Sequence, residues 1–311
     1  MSRDASDLIK RNNNRVLFAA KVIQQTAFLN GIQNTNNFEG NGRVAMSYDP
    51  TYYSAMIGAY ETTPTEQAAY IASVPRLPGP PEPPAPPAGP TLQYDPSVST
   101  SYPGSGTTVS NIGSYGTLNG TMTNVTYNAA VKGGVFTFGG TAYITFPTYD
   151  FGTAMTLIAW INPTSAPPGT INTILANGVG GGNAAGFKFF WNSWTTNDRR
   201  VLMEAGTGTT GGEVKTAINT IDFATWQQIA FVFDQANRTL AIYKNGSLVA
   251  AESSSIVANI PMNQAFRIGA FIGNVDYYYM NAQLGSLKVY SRLLTASEVL
   301  ADYNSTSSRF A

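Results

Sequence analysis

The segment from Trp226 to Ala250 constrains the fold of this 311-residue chain more than any other part of it. It holds two runs of alternating apolar residues separated by a polar stretch, and the second run leads into the dipeptide Asn245-Gly246. Alternation with a period of two is typical of strands buried on one face, and Asn-Gly is the strongest short signal for a tight hairpin turn. The segment therefore predicts two antiparallel strands that are joined by a polar turn and closed by a hairpin.

Three further blocks share this pattern of short apolar runs separated by turn residues. They cover residues 101–120, 134–161 and 285–303. Together with the Trp226 segment they resemble the laminin G-like domains of the concanavalin A-like lectin/glucanase superfamily, over residues 91 to 304. The resemblance implies an all-β fold, a concanavalin A-like (laminin G-type) antiparallel β-sandwich with jelly-roll topology. In the last block, Thr295 and Glu298 have the spacing of a capping box and predict a short helix.

The sequence divides into four segments. These are a helical N-terminal anchor at 1–33, an extended arm with a short helix at 34–74, a proline-rich linker at 75–90 and the β-sandwich domain at 91–311. The linker favours polyproline II, which at about 3.1 Å per residue spans on the order of 50 Å. Such a spacer would hold the β-sandwich clear of whatever the N-terminus binds.

Apolar residues recur at helical spacing in the first segment and form a narrow stripe. The stripe consists of Leu8, Ile9, Val16, Ala20, Ile23 and Phe28. Because a stripe this narrow buries too little surface to fold alone, we expect the helix to pack on another structure. Either a partner subunit or the β-domain of the same chain would serve, and the first alternative makes these residues a partner-binding anchor.

The charge balance bears on the choice of partners. Only 12% of the residues are charged, and the formal net charge is zero. Nucleic-acid binders release counterions through a basic surface, so we expect no nucleic acid among the partners. No stretch has the length of a membrane span, and the polar start Met1–Asp7 lacks the apolar region of a secretory signal peptide. These features favour assembly in the host cytoplasm.

The chain contains neither cysteine nor histidine. Disulfides, thiolate zinc sites and Ser-His-Asp or Cys-His catalysis are therefore excluded. A glycosidase needs two carboxylates that flank the scissile bond, which enzymes of this fold usually supply from one Glu-x-Asp-x-x-Glu strand. That run is missing, although Glu204 and Glu213 flank a glycine-rich loop and could form a cross-strand pair. We predict no enzymatic activity and no catalytic residues.

Calcium is the cofactor that the resemblance raises, because many relatives bind it on rim loops through aspartates and carbonyl oxygens. At the positions where relatives commonly carry acidic residues, this chain has Gly139 and either Thr141 or Ala142. The remaining candidates are isolated aspartates at positions 95, 150, 234 and 276, each of which fits a turn-forming role. We therefore predict no metal site and no cofactor.

Aromatic rings are the best candidates for glycan contact, because sugars present apolar faces that stack on them. Two aromatic segments are predicted to reach loops or sheet surfaces. They supply Trp191, Trp194, Asp276, Tyr277, Tyr278 and Tyr279 as carbohydrate-binding candidates. Core packing and contact with a neighbouring subunit are the alternatives for the same residues. Trp160 and Trp226 lie within apolar alternation and are predicted to be core residues.

The combination of a short helical arm, a proline-rich spacer and a laminin G-like module is similar to structural proteins of large nucleocytoplasmic DNA viruses. The resemblance implies a non-enzymatic virion component, a minor capsid or capsid-surface protein whose partners are other capsid proteins. Residues 1 to 74 would anchor it, and the β-sandwich would be an outer or bridging body. A lectin that attaches to cell-surface glycans is the first alternative, and a carbohydrate-active enzyme is the second.

Overall fold

The computed structural model describes residues 89–164, 170–253, 256–273 and 278–311. The helical anchor with its apolar stripe, the extended arm and nearly all of the proline-rich linker lie outside the described residues. The described part contains sixteen strands and one helix. In chain order they are β1 Leu92–Tyr94, β2 Thr108–Val109, β3 Gly120–Thr123, β4 Thr126–Asn128, β5 Val135–Phe138, β6 Tyr143–Asp150, β7 Ala154–Pro163, β8 Asn172–Ala176, β9 Gly186–Trp191, β10 Val201–Gly206, β11 Gly211–Lys215, β12 Gln227–Asp234, β13 Thr239–Lys244, β14 Ser247–Ser253, β15 Asn263–Ile268, β16 Ala282–Tyr290 and α1 Ala296–Phe310.

The strands form two antiparallel sheets. Sheet A has the order β14-β13-β12-β7-β16-β5-β4, with β1 pairing the free part of β16. Sheet B has the order β11-β10-β9-β8-β15-β6-β3-β2. Neighbours such as β7 and β16, or β8 and β15, are far apart in sequence, as expected when a chain crosses repeatedly between two packed layers. The prediction of an all-β antiparallel sandwich with a concanavalin A-like fold is confirmed.

The Trp226 segment forms three consecutive strands of sheet A. β12 pairs with β13 from Ile229 opposite Lys244 to Asp234 opposite Thr239. Asn245 and Gly246 connect β13 to β14 with φ angles of 50° and 75°. Positive φ at both central residues is the requirement of a type I′ hairpin turn, whose twist matches that of the flanking strands. The Asn245 side chain also accepts a hydrogen bond from the Gln228 backbone N–H at 2.8 Å.

A single aromatic-rich core fills the space between the sheets. The rings of Phe189 in sheet B and Phe231 in sheet A lie 4.3 Å apart, centroid to centroid. Phe187, Phe189 and Trp191 alternate along β9 and all point inward, where each is fully buried. The prediction that Trp191 lies on the surface is therefore wrong. Its ring is the last inward side chain of a strand that continues to residue 191, and it does not belong to the loop that follows.

Helix α1 packs on the outer face of sheet A. Its N-terminus has the predicted capping box, since the Thr295 hydroxyl accepts from the Glu298 N–H and the Glu298 carboxylate accepts from the Thr295 N–H. Trp160, buried as predicted, stacks on Phe310 at 4.4 Å and donates its indole N–H to Thr306. Trp226 was also predicted to be a core residue, but it is only partly buried. It precedes the first residue of β12 and covers the edge of the helix contact, 4.9 Å from Phe310.

The first strand and the last helix are joined by an ion pair. Arg309 donates to both carboxylate oxygens of Asp95, at 3.0 and 2.7 Å. Its other nitrogens donate to the carbonyl oxygens of Lys132, Gly134 and Gly285. All five guanidinium N–H groups therefore have acceptors, which is the arrangement that makes a partly buried arginine stabilising.

Candidate functional site

A row of charged residues crosses the outer face of sheet B. Lys188 on β9 lies opposite Ala176 on β8 and opposite Glu204 on β10, and Glu204 lies opposite Glu213 on β11. Directly paired residues share a face, and the neighbours of Lys188 along β9 point into the core. The row therefore faces away from the core. The cross-strand pairing of Glu204 with Glu213, which the sequence left open, is present.

Each of these two carboxylates is already bound by a lysine. The Lys188 ammonium lies 2.5 Å from Glu204 Oε1 and donates to the Gly181 carbonyl oxygen at 2.7 Å. The Lys188 side chain is 0% exposed and the Glu204 side chain 20% exposed. Glu213 forms a 2.5 Å pair with Lys215, and both of those side chains are about half exposed. Both carboxylates thus belong to ion pairs, one largely buried and one exposed to solvent.

Aromatic side chains cover the buried part of this row. Phe271 packs on Phe190 at 5.7 Å and stacks on Tyr278 at 4.6 Å. The Lys188 ammonium lies 5.8 Å from the centroid of the Phe271 ring, within the range of a cation–π contact. Phe271 and Tyr278 belong to the connection between β15 and β16. The Tyr278 backbone carbonyl accepts from the Thr173 hydroxyl at 2.6 Å, which ties that connection to β8. Burial, together with the negative charge of Glu204, raises the pKa of the Tyr278 hydroxyl.

A second contact holds the same connection to sheet B. The Arg267 guanidinium lies 4.3 Å from the centre of the Tyr143 ring, and Tyr143 stacks on Tyr279 at 6.2 Å. Arg267 also donates to the carbonyl oxygens of Phe271 and Gly273, both at 3.1 Å. The described parts of the connection from β15 to β16 are thus fixed on the outer face of sheet B by a cation, by hydrogen bonds and by ring stacking.

The structure brings together only part of the predicted carbohydrate-binding set. Trp194 is 52% exposed, and its ring lies 5.7 Å from the partly buried ring of Tyr278. Tyr279 is partly buried against Tyr143, and Trp191 is in the core on the other side of the sheet. Asp276 and Tyr277 lie outside the described residues. The surface aromatic group that the structure supports therefore consists of Trp194 and Tyr278, beside the Lys188–Glu204 pair.

Sequence reasoning missed Lys188, Arg267 and Phe271, which build most of this surface. One signal for Lys188 was available, because it is the sole charge within the apolar run Gly186–Trp191. An alternating strand with inward Phe187 and Phe189 must place residue 188 on the outer face. Arg267 and Phe271 gave no such local signal, since the rings of Tyr143 and Phe190 that they contact belong to strands distant in sequence.

The aspartates that we weighed as calcium ligands have other roles in the structure. Asp150 accepts from the Gly152 N–H, as in an Asx turn. Asp234 accepts from the backbone and side-chain nitrogens of Asn237, and these bonds lower its pKa. Asp95 is bound to Arg309, and Asp276 lies outside the described residues. Over the described ranges, no group of three or more acidic side chains is arranged to bind a metal ion.

Several solved structures share the fold of this chain at low sequence identity. The receptor-binding domain of botulinum neurotoxin type G superposes with a TM-score of 0.51 at 16% identity, covering 70% of this chain and 52% of the toxin domain. Trypanosoma rangeli sialidase in complex with the inhibitor DANA gives 0.54 at 16% identity, covering 84% of this chain and 39% of the sialidase. The binding domain of Paraclostridial Mosquitocidal Protein 1 gives 0.52 at 16% identity, covering 70% and 52%. The chain thus spans about half or less of these structures, and at such identities the likeness concerns the fold alone.

Sequence comparison supplies the family. No curated protein sequence matches the chain. In the part of the chain that the structure describes, no helix is long and apolar enough to cross a membrane. The family model of the concanavalin A-like lectin/glucanases superfamily, laminin G type, matches residues 138–300. The match runs from β5 into α1 and covers more than half of the chain. This chain belongs to the concanavalin A-like lectin/glucanases superfamily.

Proposed function

We propose that this chain is a non-enzymatic structural protein of a virion, whose β-sandwich is an outer or bridging body attached to other capsid proteins through the N-terminal residues. The observation that supports it best is the filled outer face of sheet B. Lys188, Phe190 and Phe271 on that face are nearly or fully buried by the chain itself. Binding and catalytic sites are concave and expose a few convergent polar groups, whereas this face is packed.

The carboxylates support the non-enzymatic part of the proposal. Glu204 and Glu213 are adjacent across β10 and β11, but each is bound to a lysine at 2.5 Å. A retaining or inverting glycosidase separates its two carboxyl groups so that sugar or water fits between them. We expect the wild-type chain and the Glu204→Gln and Glu213→Gln variants to show equally no hydrolysis of polysaccharides. Turnover that disappears in either variant would overturn this part of the proposal.

The virion part of the proposal is supported by the organisation of the sequence. A predicted helical stripe, a predicted extended arm and a proline-rich segment precede a sandwich whose core is filled by its own side chains. A self-sufficient body behind a spacer suits a protein that is attached at one end. In purified particles, quantitative mass spectrometry should find the chain in a fixed ratio to the major capsid protein after high-salt washing. Its absence, or a ratio that varies between preparations, would contradict the virion role.

A glycan-binding attachment lectin is the second candidate, and one observation favours it. Trp194 is 52% exposed beside Tyr278, which gives the surface an aromatic platform suited to a sugar face. On a glycan array, a lectin of this kind should give reproducible signals that Trp194→Ala abolishes. Ile218→Ala is the matched control, because Ile218 is similarly exposed at 57% and lies outside the platform. No signal above background would favour the purely structural role.

A further inference from the structure

The edge of sheet A at β14 differs from the other sheet edges. β14 is a terminal strand of seven residues, and its sequence Ser-Leu-Val-Ala-Ala-Glu-Ser contains one charged residue and no proline. β11, the corresponding edge of sheet B, carries Glu213 and Lys215, while β4 and β2 have three and two residues. Native proteins protect sheet edges with charges, proline or short strands, because a free edge pairs with other strands. β14 has a bulge between Leu248 and Ala250, where its register with β13 shifts, and bulges also protect edges. The residues on both sides of this bulge nevertheless form an unpaired edge.

Exposed apolar side chains concentrate beside this edge. Leu248, at 56% exposed, and Val249 belong to β14 itself. Leu300 of α1 lies against the hairpin turn, where a Cβ on Gly246 would come within 2.8 Å of its Cδ1. Leu293, just before α1, lines the same surface as Ala251. Singly scattered exposed leucines need no explanation, but a contiguous apolar patch marks an interaction site.

A groove of about 320 Å³ adjoins β14 on the outer face of sheet A. Its apolar lining consists mainly of Val232, Leu240, Ala241, Ala251 and Leu293. Asp234 and Glu252 lie at the groove as well, and none of the described residues that line it is basic. The two alanines leave room where larger residues would fill the surface. The groove therefore fits a branched aliphatic side chain that is presented by an adjacent strand.

The two ends of β14 are complementary to each other in shape. Leu248 pairs with Tyr243 and Ala251 pairs with Ala241, and both partners point to the outer face of sheet A. Because the bulge at Val249 adds one residue between them, Leu248 and Ala251 share that face, with the bulky side chain near one end of the strand and the groove near the other. An antiparallel copy of β14 would place its own Leu248 beside the groove of this copy, and the reverse holds by symmetry.

The charges near β14 do not oppose such a contact. Glu252, opposite Leu240, lies near one end of the strand. Lys244, opposite Ser247 near the other end, is already bound to the Asp222 carboxylate at 2.6 Å and to the Thr220 carbonyl oxygen at 2.7 Å. Antiparallel pairing about a two-fold axis keeps the two Glu252 carboxylates at opposite ends of the contact, so they do not repel each other at its centre.

We propose that β14 pairs with β14 of a second copy of this chain, in an antiparallel two-fold arrangement that joins two copies of sheet A into one sheet. The free backbone N–H and C=O groups of each edge strand find partners in the other. Leu248 and Val249 become buried, and each Leu248 enters the groove at Ala251 of the other copy. Such an isologous contact closes on itself, so it produces dimers and no fibres.

Single cysteines test the geometry, because the chain has no cysteine of its own. A disulfide requires Cα atoms about 4.4–6.8 Å apart, so only residues near the two-fold axis can link to themselves. In the full chain, mild oxidation should give covalent dimers from at least one of Val249→Cys, Ala250→Cys and Ala251→Cys. Ser253→Cys, at the strand end, and the exposed control Ile218→Cys should give none. No dimer from the central positions, or equal yields from the controls, would overturn the proposal.

A charge substitution tests the contact in the unmodified chain. Sedimentation velocity of the wild type should show a dimer whose population rises with concentration, and Leu248→Lys should abolish that rise. Ile218→Lys adds the same charge at a similarly exposed site and should dimerise as the wild type does. Equal melting temperatures for the two variants would show that the loss is not caused by unfolding. A wild type that is monomeric throughout, or a Leu248→Lys variant that still dimerises, would refute the β14 contact.

Discussion

Lys188 is a side chain that the fold encloses together with a carboxylate partner. Its ammonium is held by Glu204 at 2.5 Å and by the Gly181 carbonyl oxygen at 2.7 Å, under the Phe271 ring. A buried ion is expensive to desolvate, and its partners offset that cost only while both charges remain. Removing either partner would therefore leave the other on this packed face without its counter-charge.

Replacing Lys188 alone should therefore be more damaging than replacing the pair. Lys188→Met should lower the free energy of unfolding by about 2 kcal/mol, less than a fully buried pair because Glu204 is partly exposed. The double variant Lys188→Met with Glu204→Gln should recover at least half of that loss. Urea unfolding measures both, and Lys215→Met is the exposed control, with an expected effect of about 0.5 kcal/mol or less. Equal losses in the single and double variants would contradict this account.

Trp191 provides a second test at the residue scale. The ring is fully buried in the core, yet its indole N–H has no hydrogen-bond partner among the described residues. Trp191→Ala should cost about 4 kcal/mol through the cavity it creates. Trp191→Phe should cost only about 1 kcal/mol, because the smaller ring also removes an unpaired donor. Thermal and urea unfolding of the two variants would check this order, and similar losses would show that the indole nitrogen is satisfied.

At the scale of elements, helix α1 is fixed to sheet A by a polar network as well as by apolar contact. Asp302 accepts from Lys288 at 2.6 Å, from Gln228 at 3.0 Å and from the Tyr290 hydroxyl at 3.2 Å. Burial and the Asp302 charge raise the pKa of the Tyr290 hydroxyl well above its ordinary range, so it remains a donor. The helix is therefore held in one register on the sheet.

The capping box gives α1 a measurable pH dependence. Hydrogen bonds from Arg292 and from Thr295 lower the pKa of Glu298 from 4.5 to about 2. A depressed carboxyl pKa contributes stability above the unfolded-state value, and this contribution is lost as the pH falls from about 4.5 through about 2. Glu298→Ala should cost about 1 kcal/mol at neutral pH. The difference in melting temperature from the wild type should shrink over that acidic range, and a constant difference would contradict the linkage.

Local signals predicted the elements well and the packing between them poorly. The Asn245-Gly246 turn and the Thr295–Glu298 box are complete within a few residues, so the sequence alone specifies them. Trp191 was predicted to be a surface residue, although the alternation from Phe187 continues through it and directs its ring into the core. The cover formed by Phe271 over Lys188 depends on contacts between distant strands, which no short pattern encodes.

For the whole molecule, the decisive question is how the chain is attached. If the apolar stripe at 1–33 is an anchor, charges placed in it should abolish incorporation into particles, because buried unpaired carboxylates are strongly destabilising. Val16→Asp combined with Ile23→Asp should do so without changing the melting temperature of the β-sandwich. Asn13→Asp with Gln25→Asp adds the same charge at polar positions and should incorporate normally. Normal incorporation of the first variant would refute the anchor.

The ion pair between Arg309 and Asp95 has a mechanical consequence for a body of this kind. It joins the last helix to the first strand, so that the entry and the exit of the sandwich lie at one corner. A force applied between that strand and that helix would therefore load the Arg309–Asp95 pair before it loads the strands between them.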